Sequence, residues 1–520
     1  MVPTRRRRKT FIWAKSGGLR VSEGADAHRI RSPAGPGTAN VASNRVICIN
    51  ASPGNGAAMT TNKRDTAFLG HPVGLGWLSA AEFWERFSYY GMQALLVLYM
   101  THSVLLPGHV EHIQGFGPFH QFIVSLYGPL SPQALASVIF GLYTGLVYLM
   151  PLAGGLLADR VLGRTRTVVL GASLMTLGHF LMAFDTSFLL AMLCLVLGVG
   201  CFKGNISSQV GDLYAHNDPR RGNAFQIFLF IVQLAGLITP LVCGTLGEVY
   251  GWHWGFGAAG VGMVIGMSAY LVGRYALPQE ARLLRDDNVA RRPKLTKGDW
   301  RNVFVLVVLL PVLAVGIIGN QEIFNAYIVW AERSYDLTFF GRTMPVTWIL
   351  SFGSISSALT IFASVLFWRW WGQRHREPDE ITKIALGTMV GAVAPLTLAF
   401  ASLLIAQTGQ RVSLGWAVLF QLVNDLGFAN VVPIGLALYS RAAPKSLAGL
   451  MIGVYYIHLF MGNMLVGKLG GLLDKMPGTS FWLLHTGLMT VSAAILLAVR
   501  VVAGKALAPA YDIVPKAAGV

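Results

Sequence analysis

Gly154-Gly155-Leu156-Leu157-Ala158-Asp159-Arg160-Val161-Leu162-Gly163-Arg164-Thr165-Arg166 joins two long apolar runs through a turn of a few residues that carries one carboxylate and three arginines. Small residues let helix ends approach closely in lipid, and a carboxylate there can meet a neighbouring helix end or an arginine. The flanking runs, near 134–158 and 166–185, are each long enough to cross a bilayer, which takes roughly 20 mainly apolar residues. Working outward, comparable runs lie near 76–101, 187–210, 223–247, 253–275, 302–330, 347–371, 384–407, 412–440, 446–472 and 480–504, giving about twelve spans. The chain has 520 residues, of which 54% are hydrophobic and 12% charged, too apolar for one water-facing globule. The expected fold class is an all-α membrane protein, with lipid as part of its solvent. No soluble stretch is long enough for a separate catalytic domain.

The net charge of +17 would suggest a nucleic-acid partner if it were spread over one face, but it is segregated. Ten Lys/Arg against Glu23 and Asp26 put +8 in residues 1–58. The remaining cations gather in alternate loops: Arg160, Arg164 and Arg166; Arg220 and Arg221; Arg282 through Arg301; Arg374, Arg376 and Lys383; Arg441 and Lys445. The long first loop, about 102–133, has no Lys or Arg, so the positive-inside rule puts both termini in the cytoplasm. Residues 1–58 read as a disordered basic leader without a secretory apolar core, and translation is expected to start at Met59. Cys48, Cys194, Cys201 and Cys243 form neither a disulfide framework nor a metal-ligand spacing. His109, Glu111 and His112 lie in a wet outer loop and read as solvated. No metal or cofactor is expected.

The 154–166 turn resembles the signature loop of the major facilitator superfamily, with Gly155, Asp159, Arg160, Gly163 and Arg164 as its gating residues. The resemblance implies a major facilitator fold: two six-helix bundles related by a pseudo-two-fold axis, with substrate bound near the midplane. The corresponding division is 59–275 and 301–505, a charged linker at 276–300, and a tail at 506–520.

Span one carries Glu82-Phe83-Trp84-Glu85-Arg86-Phe87-Ser88-Tyr89-Tyr90-Gly91. An ionised side chain at bilayer depth costs at least about 2.5–3.5 kcal/mol, so three within five residues must face a polar cavity and pair. Glu82, Glu85 and Arg86 stand at i, i+3 and i+4, and Tyr89, Tyr90 and Gln93 continue the stripe. This segment resembles the E-x-x-E-R-F-x-Y-Y-G signature of the proton-dependent oligopeptide transporter family at every fixed position. Span four carries Gly198-Val199-Gly200-Cys201-Phe202-Lys203-Gly204-Asn205, which lacks the Gly-Lys-Ser/Thr ending of a phosphate loop. A buried lysine there needs a carboxylate, and the family has a lysine with asparagine two residues on. Asn320-Gln321-Glu322 on span seven resembles the family's acidic position. Further similarity lies in Tyr143 to Pro151, which includes Tyr148, in Gly251 to Gly257, and in Pro444 to Gly467. The likeness runs from about Leu78 to about Gly471.

The second half departs from the family pattern. Phe428 stands where span ten usually has glutamate, Trp348-Ile349-Leu350-Ser351 loses the usual glutamine, Gln233 and Leu229 replace asparagine and tyrosine on span five, and Tyr455 replaces tryptophan. Asp425, one turn before Phe428, is a replacement carboxylate for a peptide amino group or a brace for a neighbouring helix. The resemblance implies proton coupling through Glu82, Glu85, Arg86, Lys203 and Glu322, with Glu322 pairing with Lys203 or Arg86 in one alternating state. It implies substrate contacts from Arg86, Tyr89, Tyr90, Tyr148, Lys203, Gln233, Asp425 and Tyr455. His179, His458 and His485 read as packing histidines. The expected function is import of di- or tripeptides with protons, by a monomer in the cell membrane. A facilitator for another small polar solute is the alternative, and no enzyme constellation is present.

Overall fold

A computed structural model describes residues 66–215, 218–278, 295–339, 341–444 and 447–507. The leader 1–58, most of the 276–300 linker, Lys445 and nearly all of the 506–520 tail lie outside the described residues.

The long helices are α1 (Val73–Tyr99), α3 (Pro132–Leu157), α4 (Arg164–Leu181), α5 (Phe188–Asp212), α6 (Arg220–Thr239) and α7 (Trp252–Gly273) in the first half. A shorter α2 (Phe116–Tyr127) lies in the loop between the first two spans. Span seven is interrupted, running as α8 (Lys297–Gly316), one turn α9 (Ile318–Gln321), a 3₁₀ turn at Glu322–Phe324 and α10 (Ala326–Ser334). Then follow α11 (Trp348–Arg374), α12 (Glu380–Thr408), α13 (Gly415–Ala442), α14 (Ala448–Gly470) and α15 (Gly478–Leu507). Ten of the described helices are long and apolar enough to cross a membrane by length and composition, and α1 and α4 complete the expected twelve. α1 carries Glu82, Glu85 and Arg86 in its middle, and α4 spans 18 residues and opens on Arg164 and Arg166. Large apolar side chains such as Phe230, Phe362 and Val365 stand exposed on the helices, as a lipid-facing surface requires.

Local chemistry sets several helix starts. Ser131 accepts from Ala134 N and is followed by Pro132, Thr296 and Asp299 form a capping box, and Asp379 accepts from Thr382 N. Gly163 reverses the chain at φ +79°, a conformation open to glycine, and α4 begins at the next residue.

The packing repeats with a shift of six spans. In the first half α1 packs on α6 and α7, α4 on α5 and α7, and α3 on α5. In the second, the α8 helix that opens span seven packs on α14 and α15, α12 on α13 and α15, and α11 on α13. The two halves meet through α3 with α14 and α6 with α11, which exchange under the same shift. This is the pseudo-two-fold arrangement of a major facilitator fold.

The halves meet along the α3–α14 crossing and, at the end opposite the arginine-rich loops, through the segment that follows α6. At the α3–α14 crossing, a Cβ on Gly141 would lie 2.5 Å from the Asn463 carbonyl oxygen, so only glycine fits. Beyond α6 the chain continues as π-type turns to Tyr250, where half-buried Glu248 reaches the start of α11. Its carboxylate accepts from Val346 N at 2.9 Å, Thr347 N at 3.0 Å and Thr347 Oγ1 at 2.6 Å, so one side chain of the first half caps a helix of the second. Hydrogen bonds to a charged group contribute about 1.5–3 kcal/mol each before the losses of the open state are counted. Glu248→Ala is therefore expected to raise the open fraction at this face about 10- to 100-fold, read as faster maleimide labelling of a cysteine placed at Ser354. An unchanged labelling rate would show that Glu248 does not hold the halves together.

Candidate functional site

The stripe on α1 folds as its spacing requires, with Glu82, Glu85 and Arg86 all buried. Arg86 Nη2 donates to Glu85 Oε1 at 2.8 Å, and its Nε also pairs with Glu85 Oε2 and, at 3.1 Å, with Glu82 Oε1. The guanidinium carbon lies 5.0 Å from the centre of the Tyr89 ring. One cation thus holds two carboxylates, and with both ionised the cluster carries one excess negative charge.

Lys203 supplies the balancing charge without touching a carboxylate. The glycines that precede it pack its helix closely: a Cβ on Gly198 would meet Met175 Cγ at 2.5 Å, and one on Gly200 would meet Met150 Cβ at 2.6 Å. They seat α5 against α4 and α3, and Lys203 on the same helix lines the cavity between the halves. Its Nζ lies 5.0 Å from the Tyr148 ring centre and 5.8 Å from that of Tyr89, and it makes no ion pair among the described residues. The carboxylate partner expected for it is replaced by two aromatic faces, whose negative quadrupoles partly compensate the ammonium.

These groups open onto one cavity of about 140 Å³ between the halves. Arg86, Tyr89, Tyr90, Gln93, Phe140, Tyr148 and Lys203 line its first-half side, and Asn320, Gln321, Phe324 and Asn463 line the other. The wall facing the cations is therefore made of carboxamides and one phenyl ring. Asn463 ties it together, donating to Gln321 Oε1 at 2.9 Å and accepting from Thr144 Oγ1 at 2.8 Å across the interface. Asn463 was not singled out in the sequence, although a lone amide inside Leu459-Phe460-Met461-Gly462-Asn463-Met464-Leu465-Val466 is a polar-residue signal of the same kind as Lys203.

Other sequence candidates lie elsewhere in this state. Glu322 is fully buried inside the second half and pairs with His485, not with Lys203 or Arg86. Asp425 is buried with both oxygens held by Gln421 Nε2 at 3.0 Å and one by Asn424 Nδ2 at 3.3 Å, and it is not among the cavity-lining residues. Tyr455 packs on Tyr439 and donates to the Val432 carbonyl at 2.9 Å, so it joins α14 to α13 and does not reach the cavity. Gln233 sits at the α6–α11 contact, 3.5 Å from the Ser354 carbonyl.

In the 154–166 turn the close approach is made by Gly154, not Gly155: a Cβ there would lie 2.0 Å from the Gly200 carbonyl oxygen. Asp159 and Arg160 are exposed, and Arg164 pairs with Asp212, at the end of α5, at 2.5 Å. His109, read as solvated, holds Asp185 at 2.8 Å, and Tyr99 donates to the same carboxylate at 2.5 Å. His179 is buried, and His458 bonds the Tyr455 carbonyl.

A family model described as the POT family matches residues 165–292. The chain is 30% identical to the di-/tripeptide transporter of Lactococcus lactis subsp. lactis (strain IL1403) over 499 residues, which is 84% of this chain and 96% of the relative. It is 28% identical to the uncharacterized transporter YclF of Bacillus subtilis (strain 168), over 80% of this chain and 91% of the relative. A crystal structure of a peptide transporter POT in complex with sulfate has the same fold, with a TM-score of 0.71 at 25% identity, covering 85% of this chain and 99% of that one. The two-half packing, the Glu-Glu-Arg cluster beside a lysine and the 30% identity over 84% of the chain together place this chain in the POT family of membrane transporters.

Proposed function

We propose that the protein is a proton-coupled symporter that carries short peptides by alternating access between the bundles 59–275 and 301–505. On this reading 276–300 is a cytoplasmic linker, both termini are cytoplasmic, and a monomer works in the cell membrane with lipid, protons and peptide as its only partners. The observation that carries the reading is the convergence of Arg86 and Lys203 on one cavity between the halves, with Glu82 and Glu85 bonded to Arg86.

Protonation within the cluster weakens its hold on Arg86 and lets the guanidinium share its charge with the carboxylate of an entering peptide. Proton and substrate then enter together, because each relieves a charge imbalance that the other creates. Glu248 and the α3–α14 crossing hold the halves together on the arginine-poor side, which on this reading faces outward, so the state is closed outward. Purified protein in liposomes should accumulate labelled dipeptides under an inward acid gradient, and a protonophore should collapse the accumulation. Accumulation unaffected by the protonophore would end the proton-coupled reading.

A second reading, a carrier for another small anionic solute, is favoured by the carboxamide wall. Asn320, Gln321 and Asn463 stand where a zwitterionic peptide would present its ammonium group, and Asp425 is engaged elsewhere. A panel of peptides and single amino-acid derivatives in the same liposomes separates the two.

A further inference from the structure

The last two turns of α11 carry Trp368-Arg369-Trp370-Trp371-Gly372-Gln373-Arg374, three indoles and two guanidinium groups at the arginine-rich end of the second half. One side of this stretch is fixed. Trp368 Nε1 donates to Asn430 Oδ1 at 2.6 Å, and Ser364 Oγ, one turn earlier, donates to the same oxygen at 2.8 Å, so α11 is fastened there to α13. The other side faces outward. Phe362, Val365, Leu366 and Arg369 recur at helical spacing on one face and are all exposed, with exposed Trp370 and Arg374 beside them. An apolar stripe thus runs about 10 Å along the helix axis from Phe362 and ends on a cation.

Neither arginine is paired with a carboxylate among the described residues. The acids of the turn that follows are each taken by another cation: Glu377 by Lys383, Asp379 by Arg500 at 2.8 Å and Glu380 by Arg441 at 2.8 Å. The Arg374 guanidinium carbon lies 4.8 Å from the centre of the Trp370 ring, and Lys383 Nζ lies 4.8 Å from that of Trp368.

We infer that this face of α11 binds an anionic phospholipid of the phosphatidylglycerol type, its phosphate on Arg369 and Arg374 and one acyl chain on Phe362, Val365 and Leu366. A phosphodiester accepts two parallel N–H bonds from a guanidinium fork, and an arginine side chain is long enough to carry that fork from the helix to the headgroups. Indole rings settle at the same level of the bilayer. Zwitterionic headgroups fit less well for two reasons. A choline or ethanolamine cation would meet two like charges, with the neighbouring carboxylates already paired. The Trp370 ring that could hold a quaternary ammonium is already engaged by Arg374. A glycerol headgroup brings hydroxyls and no second cation. Basic loops by themselves attract anionic lipid diffusely, whereas here the cations, the indoles and the acyl-chain track share one helix face.

Binding at this face is separate from transport and is measured without it. Native mass spectrometry of the purified full-length protein, titrated with phosphatidylglycerol, phosphatidylcholine or glycerol phosphate, gives the affinity for the first molecule bound. Each cation at a lipid surface contributes about fivefold to the binding of an anionic lipid, so Arg369→Gln/Arg374→Gln should weaken phosphatidylglycerol roughly 25-fold, to near the phosphatidylcholine level. Arg160→Gln/Arg166→Gln removes the same charge from a turn that contains no tryptophan, and should change the affinity by less than about twofold. Should the first double variant fail to fold, Arg369→Gln alone, a single exposed change, decides by its expected loss of about fivefold. Equal native affinity for the two lipids overturns the site. An equal loss in Arg160→Gln/Arg166→Gln overturns it too, since attraction would then be diffuse. Glycerol phosphate binding as tightly as the lipid would make the face a site for soluble anions and end the lipid reading.

Discussion

Lys203→Ala is expected to abolish uphill, proton-driven uptake while leaving measurable counterflow. Arg86 is already engaged by two carboxylates, whereas the Lys203 ammonium rests between the Tyr89 and Tyr148 rings with no ion pair among the described residues. It is the cation free to meet an entering substrate carboxylate, and among the described residues the one unpaired positive charge beside Glu82 and Glu85. Removing it leaves the cluster one charge negative, which favours a permanently protonated glutamate. The protein then moves substrate with no proton released per cycle, so exchange survives and concentration against a gradient does not. A lost charge-assisted contact of about 1.5–3 kcal/mol corresponds to a roughly 10- to 100-fold weaker substrate affinity besides. Liposome uptake with and without a pH gradient, beside counterflow in preloaded liposomes, reads both effects. Full gradient-driven accumulation by Lys203→Ala would remove the lysine from coupling.

The signals that were legible in the sequence share one origin, the expense of polarity in lipid. Apolar runs located the spans, and Glu82, Glu85, Arg86 and Lys203 were conspicuous because nothing but a shared polar cavity tolerates them. The same rule does not say which way a polar side chain turns. Asp425 and Glu322 satisfy it by bonding inside the second half, to Gln421 and His485, and so stay off the cavity wall. Tyr455 satisfies it with a backbone carbonyl. Lys203 satisfies it with aromatic faces, a solution that depends on Tyr148 lying on another helix and so leaves no local pattern. The interruption of span seven was also hidden, because Ile317 to Trp330 is apolar enough to read as one helix. The break is held by the Glu322 carboxylate reaching the backbone of Ala326, a contact between side chain and chain that hydropathy does not register.

Native protein is expected to take up an N-acetylated dipeptide at least as fast as the same dipeptide with a free amino group, and Asp425→Asn is expected to change both rates equally. The cavity offers two cations to a carboxylate and three carboxamides at the opposite wall, with no carboxylate among the described lining residues. An acetylated amino terminus is itself an amide, which Asn320, Gln321 and Asn463 can both donate to and accept from. A free ammonium would be buried against neutral acceptors alone, and an unpaired charge loses more by desolvation than neutral hydrogen bonds return. Even 1.4 kcal/mol of that difference gives about a tenfold preference for the acetylated form. Asp425 cannot correct this from its present position, since its oxygens are occupied by Gln421 and Asn424 on its own helix. Its replacement by asparagine disturbs that internal bracing, a structural effect that makes no distinction between substrates. Competition of each dipeptide against a labelled reference, in native and Asp425→Asn liposomes, measures the preference directly. A tenfold advantage for the free amine that disappears in Asp425→Asn would mean that α13 turns this carboxylate into the cavity during the cycle, and the substrate would then be an ordinary zwitterionic peptide.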